Sequence, residues 1–338
     1  MCDDRTVTAE TKPTKRPTSF DVAKRAGVSR ATVSHVLNGQ GSRFPEQTQQ
    51  KVLKAAAELQ YKPSPAGRAL VTGRSDILVV LIPNTTFGTN LQDLVDGVSV
   101  QAARHGLSVV VRFVGRDAAE TLDAILHFRP VAVVDIGVLS PTDRETLEAA
   151  GAVAIPRHTR SPEPEADLNF LVGRTMGEEL LRGGPRRLAF AALVDERQDP
   201  FGPPRYEGMK AAARAQGLPT PQRLEIPLKL TGARTALEAF AVPGAPMGVG
   251  CYNDDVAIAV VAAGRALGLE TPRDLSVVGV DATAVGQLVS PRLTTVLMQN
   301  DALMERIAAD LAELHQKDAT RRVHDVLPVV RIVPGETT

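Results

Sequence analysis

The stretch from Pro17 to Gly39, PTSFDVAKRAGVSRATVSHVLNG, leaves the backbone little choice. Thr18 is a hydroxyl residue placed to cap a helix start, and Asp21, three residues on, sets a negative charge near that helix's positive end. Val22, Ala23 and Ala26 fall at helical spacing on one narrow face of small residues, while Lys24 and Arg25 point away from it. Gly27 supplies a backbone angle that other residues resist, and Val28 plugs the angle between two helices. Ser29 opens a second helix as its N-cap, its hydroxyl toward the free amides of Arg30 to Thr32, and Val33, Val36 and Leu37 form the buried stripe. That leaves Arg30, Ala31, Thr32, Ser34 and His35 facing outward.

Spacing alone leaves open a surface helical hairpin that touches nothing, because short amphipathic helices are common. The caps, the glycine turn and the cationic outer face agree, however, and agreement across these levels favours contact with duplex DNA. Charge points the same way. Residues 1–75 hold 13 Lys and Arg against 6 Asp and Glu, whereas residues 76–338 hold 26 against 33, so the zero net charge of the chain conceals a basic head on an acidic body. A basic head is the footprint of phosphate contact, and an acidic body would repel nucleic acid and keep the grip local. DVAKRAGVSRATVSHVLN resembles the signature DVAxxAGVSxxTVSxVLN of the lac-repressor-type (LacI/GalR) family of transcription regulators. With the resemblance, the candidate DNA-contacting set is Thr18, Ser29, Arg30, Ala31, Thr32, Ser34, His35 and Asn38.

Gly39 to Phe44 read as a loop, and Pro45 with Glu46 opens a third helix to about Leu59, with Val52, Leu53, Ala56 and Leu59 as its buried face. In YKPSPAGRALVTGRSD, residues 61–76, Pro63 and Pro65 interrupt, one or two helical turns fit around Gly67 to Val71, and Gly73 ends them. So short a segment does not hold a helix alone in water, since nucleation costs more than a few hydrogen bonds return. It is either a plain tether or a segment that folds against a partner. The resemblance implies the second, a hinge at about 63–72 that orders in the minor groove and wedges a leucine between base pairs; by position the wedge is Leu70, with Arg68 beside it. This chain departs from the family in Ser64, where Asn is usual, and in Gly67, where Ala is usual, and glycine weakens a helix by about 1 kcal/mol.

From Ile77 the pattern changes to strand, turn and helix: ILVVLIP, LQDLVDGVSVQAARHG, LSVVVRFV, AAETLDAILHF, VAVVDI. Val and Ile runs alternating with helices predict buried parallel strands in an open α/β sheet. A second series starts near Thr175 with TMGEELLRGG, RRLAFAAL, YEGMKAAARAQG, MGVGCYN, DDVAIAVVAAGRALG and LSVVGVD. The expected architecture is an all-α helix-turn-helix head with hinge (18–72), followed by a periplasmic-binding-protein-like body (76–334) of two parallel-sheet α/β subdomains with a cleft between them. The resemblance covers nearly the whole chain, strongest in 18–72 and 251–296, where CYNDDVAIAVVAAGRALGLETPRDLSVVGVDATAVG and SPRLTTV follow the family's pattern, and weaker from 84 to 170.

Ligands in such folds sit at the carboxyl ends of strands. The resemblance implies effector contacts from Arg205 in RYEGM, Asn253 in YNDD and Asp281 in GVDAT, and together a guanidinium, an amide and a carboxylate can read neighbouring hydroxyls. Plainer roles stand beside these: Asn253 as cap of the helix from Asp254, Arg205 as a solvated cation, Asp281 as acceptor for local amides. There is no tryptophan, so an aromatic platform under a sugar ring comes from Phe87, Phe201 or Tyr252, or is absent. Arg157 and His158, in IPRHTR, would turn the preference toward an anionic ligand if they reached the cleft.

Catalysis has little to rest on. The six histidines are scattered, no metal-ligand spacing or Gly-rich phosphate loop occurs, and the adjacent Asp254 and Asp255 would face different ways on a helix. Two cysteines, Cys2 and Cys251, make no disulfide framework, and no apolar leader follows the N-terminal charges. These features lead us to expect a cytoplasmic, homodimeric, effector-responsive repressor without cofactor, bound to a near-palindromic operator. Its effector is read as a sugar, an anionic ligand being the alternative, and a cytosolic solute-binding protein is the rival the basic head argues against.

Overall fold

A computed structural model describes residues 17–37, 41–62, 75–84, 90–115, 118–157, 167–184, 186–194, 199–299, 301–314 and 329–338. Met1–Ser75 and Asp76–Thr338 form two separate units. In the first, α1 (Ser19–Ala26) starts on a full capping box: the Thr18 hydroxyl accepts from the Asp21 amide, and the Asp21 carboxylate accepts from the Thr18 amide at 2.8 Å. Gly27 closes the helix at φ 67, in the left-handed region where glycine has no steric penalty. Ser29 Oγ then accepts from the Thr32 amide at 3.1 Å and starts α2 (Arg30–Leu37). The third helix, α3 (Glu46–Glu58), closes the bundle.

Val22, Val33 and Val52, all fully buried, meet at the centre of these helices, with Ala23, Val36, Ala55 and Ala56 around them. Each such valine contributes about 1.5–3 kcal/mol relative to exposure. Two expectations need correction. Leu53 is 54% exposed, because the stripe of α3 runs through Val52, Ala55 and Ala56 and one residue beyond Val52 is a rotation of about 100° away from the core. The segment before α3 is not all loop, for Gly41–Arg43 make a 3₁₀ turn packed under Gln49, whose side-chain amide donates to the Phe44 carbonyl at 3.0 Å.

The second unit opens with β1 (Ile77–Ile82), whose continuous apolar run is almost wholly buried. After α4 (Asn90–Arg104) come β2 (Ser108–Phe113), α5 (Ala118–Leu126), β3 (Ala132–Asp135), α6 (Pro141–Ala149) and β4 (Val153–Ile155). They form a parallel sheet in the order β2-β1-β3-β4. The apolar text of β2 predicted a buried strand, but β2 is the sheet edge, and Val111 and Phe113 are 40% and 50% exposed.

The chain then passes to a second sheet through α7 (Leu168–Leu181), which begins seven residues before the expected start at Thr175. There follow β5 (Arg187–Leu193), α8 (Gly202–Ala215), β6 (Gln222–Ile226), α9 (Leu230–Phe240), β7 (Met247–Cys251), α10 (Asp254–Ala266), β8 (Leu275–Val280) and β9 (Thr294–Gln299). Next, α11 (Asp301–Glu313) returns to the first sheet, where Ile307 and Leu311 enter its core beside α4, and β10 (Val329–Val333) rejoins the second. The order is β10-β9-β8-β7-β5-β6, parallel except that β10 runs antiparallel to β9, so the second sheet is not purely parallel as expected. Among the described residues, no helix is long and apolar enough to cross a membrane.

Candidate functional site

In the head, Arg30 and Ala31 are exposed at the first turn of α2, while Thr32, Ser34 and His35 are half-buried. The hydroxyls of Ser29 and Thr32 lie 2.9 Å apart, so the cap itself holds them. Thr18 is exposed, with its hydroxyl donating to Asp21 at 2.7 Å. The His35 ring rests against Phe44, centroids 6.1 Å apart, a support the sequence reading did not foresee. The Arg25–Glu58 ion pair, at 2.6 Å, joins α1 to α3, though at this exposure it adds little stability. Asn38, Arg68 and Leu70 lie outside the described residues, as do Phe87 and His158.

In the body, Arg205 sits in the first turn of α8 and is 4% exposed, which excludes the solvated-cation reading. Its Nε donates to Asn169 Oδ1 at 3.0 Å and its Nη1 to the Tyr252 carbonyl. The rings of Tyr252 and Phe201 lie 5.3 and 5.7 Å from the guanidinium carbon. Burial lowers the Arg205 pKa; the charges of Asp281, Tyr252 and Asp199 oppose that, acting through space. Sequence gave no sign of Asn169, 36 residues away in α7, as the partner of this side chain.

Backbone packing brings them together. Helices α7 and α8 cross through small residues: a Cβ on Gly173 would fall on the Arg205 carbonyl, 2.7 Å from its Cα, and one on Gly177 would lie 2.6 Å from the Ala212 Cβ. From the other side, a Cβ on Gly208 would strike the Phe170 carbonyl and come 2.7 Å from the Arg174 nitrogen. The glycines therefore decide how near α7 can carry Asn169 to Arg205.

Asn253, following β7, caps α10: its Oδ1 accepts from the Val256 amide at 3.0 Å, leaving the NH₂ group as what it can offer a ligand. Asp281, directly after β8, is 9% exposed and holds φ 105, with Ala282 at φ 51. The expected trio therefore gathers at the carboxyl ends of β7 and β8, where Arg205 binds the carbonyl beside Asn253 and feels the charge of Asp281. Asp254 is fully buried and Asp255 exposed, so they form no acid/base couple. Tyr252 is 2% exposed and belongs to the core, which removes it as a sugar platform; Phe201 is half-buried. Arg157 turns to α11, where its amide donates to Asp310 at 2.8 Å and its side chain approaches Glu313 at 4.0 Å. Among the described residues no cluster of three or more His, Cys, Asp or Glu could hold a metal ion.

Residues 20–64 match the family model for bacterial regulatory proteins of the lacI family, and residues 178–338 match that for the periplasmic binding protein-like domain. The chain is 27% identical over 297 residues to the HTH-type transcriptional regulator DegA of Bacillus subtilis (strain 168), covering 83% of this chain and 86% of that protein. It is 28% identical over 332 residues to the HTH-type transcriptional repressor PurR of Vibrio parahaemolyticus serotype O3:K6, covering 92% and 96%. In fold it resembles the lac repressor dimer bound to operator and the anti-inducer ONPF, with TM-score 0.71 at 24% identity over 96% of this chain and 99% of that one.

Proposed function

The chain belongs to the lacI family of bacterial regulatory proteins, a DNA-binding transcription regulator and not an enzyme, and from that premise we propose a cytoplasmic homodimeric repressor whose hold on a near-palindromic operator is set by a sugar. Each α2 enters a major groove, with Arg30 and His35 as base readers and Ala31 limited to a thymine methyl. Thr18, Ser29, Thr32, Ser34 and Asn38 hold the backbone around them. The two hinge segments, 63–72, share the minor groove between the half-sites, Leu70 as wedge and Arg68 beside it.

One observation carries the effector reading: the charges of Arg205 and Asp281 face the same site at the carboxyl ends of β7 and β8 and attract each other there. A hydroxyl lying between them accepts from the guanidinium and donates to the carboxylate, and the Asn253 NH₂ adds a donor nearby. The pair is neutral in sum, which suits a neutral polyol. Arg157, one of the two residues on which an anionic ligand would have relied, already faces Glu313. Phe201, beside Arg205, and Phe87 are the rings proposed to lie against the sugar. Because the chain passes between the two sheets after β4, after β9 and again before β10, a ligand that binds one arrangement of the sheets better than another shifts the hinge equilibrium by that difference in affinity.

Sequencing of genomic fragments retained by the purified protein, with and without neutral saccharides, tests both halves of the proposal. Thermal shift of the full chain with mono- and disaccharides, sugar phosphates and small organic acids identifies the ligand class. A true ligand at a hundredfold excess over its dissociation constant stabilises the fold by about 2.7 kcal/mol, and Asp281→Ala should abolish the shift. A response to anions alone, or a sugar response that survives Asp281→Ala, would overturn the reading.

A further inference from the structure

Two consecutive residues with side chains, Asp281 and Ala282, hold positive φ after β8, and such a turn persists only where its surroundings over-determine it. The Asp281 amide donates to the Val296 carbonyl at 3.0 Å, and a single buried carboxylate holds the two residues that follow. Asp254 Oδ2 accepts from the Thr283 amide at 2.7 Å and from the Thr283 hydroxyl at 3.0 Å. Its Oδ1 accepts from the Thr295 hydroxyl at 2.6 Å, and that hydroxyl in turn accepts from the Ala282 amide at 3.2 Å. The carboxylate fills the space between two glycines: a Cβ on Gly286 would lie 3.0 Å from Oδ2, and one on Gly279 would collide with Oδ1. These hydrogen bonds join Asp254 to the turn that carries Asp281, directly at Thr283 and through Thr295 at Ala282.

We propose that Asp254 is a positioning residue of the effector site: it holds the Asp281 turn in its left-handed conformation facing Arg205, and protonating it tightens that turn against opening to water. Burial pushes Asp254 up to about 6, aided by the charge of Asp281 and opposed by the bonds from Thr295 and Thr283. The titratable groups around it are Asp281 and, at the end of β7, Cys251, whose thiol burial raises well above its ordinary value and keeps neutral. Asp255, next in α10, is exposed. The anchor of the turn therefore changes charge under mildly acidic conditions, and because burial favours its neutral form more than the hydrogen bonds favour its charge, opening the turn to water becomes harder when it takes up the proton.

The proposal rests on Asp281 as an effector contact, but its test needs no effector, so the two can fail separately. Residue-resolved amide exchange on the full chain, corrected for the intrinsic pH dependence of exchange, is compared for wild type, Asp254→Asn and Thr295→Val. In wild type, protection at Thr283 should rise about tenfold as pH drops through about 6, while Val277, bonded to the Thr337 carbonyl, serves as an unchanging reference. In Asp254→Asn, protection at Thr283 should be independent of pH. Thr295→Val should expose Ala282 and leave the Thr283 response intact, which keeps the test decisive even if the Asn variant does not fold. A flat or falling profile at Thr283 in wild type, or the same rise in Asp254→Asn, overturns the proposal.

Discussion

Replacing Gly173 by alanine tests the close crossing of α7 and α8, because the two possible outcomes differ in sign. In an ordinary exposed or loosely packed helix the change stabilises by about 1 kcal/mol, the difference in helix propensity. Here the new Cβ would fall on the Arg205 carbonyl and lie 2.5 Å from its carbon, both backbone atoms, which cannot rotate away. Relief requires the helices to move apart by more than 1 Å on van der Waals grounds. Such overpacking costs about 1–3 kcal/mol, and the movement also strains the Asn169–Arg205 bond, a charged hydrogen bond of about 1.5–3 kcal/mol. Net of the propensity gain, a loss of about 2–5 kcal/mol is expected, and at roughly 2–4 °C per kcal/mol for a body of this size, melting should fall by about 4–20 °C. Gly208→Ala, which meets the Phe170 carbonyl from the opposite side, should behave alike. Gly97→Ala is the control, since its Cβ meets only the tip of Met304, which can swing aside. Thermal melting of the three variants by circular dichroism decides it: a Gly173→Ala protein as stable as wild type, or more so, would refute the crossing and with it the account of how Arg205 is placed.

Arg30→Ala should cost about 1–3 kcal/mol at one base position in each half-site, checked by titrating operator variants; an unaltered preference among them would rule out base reading by this residue. Leu70→Ala should reduce operator bending and specific affinity while salt-dependent non-specific binding survives, and unchanged bending in a fluorescence assay would remove the wedge. The raised pKa of Asp254 makes a signed forecast for pH. Its folded form keeps the proton up to about 6 while the unfolded form releases it near 3.8, so this group's contribution to stability falls as pH rises between those values and is level above. Relative to Asp254→Asn, wild type should lose about 3 kcal/mol across that window in denaturant titrations of the two proteins, and parallel curves would contradict the assignment.

Local chemistry was readable from the chain alone. Thr18, Asp21, Gly27 and Ser29 act within three or four residues of themselves, so the helix starts and the turn between α1 and α2 follow from sequence spacing. The same holds for Asn253, whose capping bond reaches only to Val256. Strand alternation with helices announced the sheets because burial on both faces leaves a continuous apolar run, as in β1 and β8. Where position in the sheet matters, that argument stops: β2 has the same text as a central strand yet lies at an edge, and β10 runs antiparallel. The site's finer arrangement was decided by the tertiary fold, since its bonds join residues far apart in sequence, Asn169 to Arg205 and Asp254 to Thr283 and Thr295. Composition cannot specify such contacts. They depend on how closely two helices approach across their glycines, and on which strand ends meet when β7, β8 and β9 align.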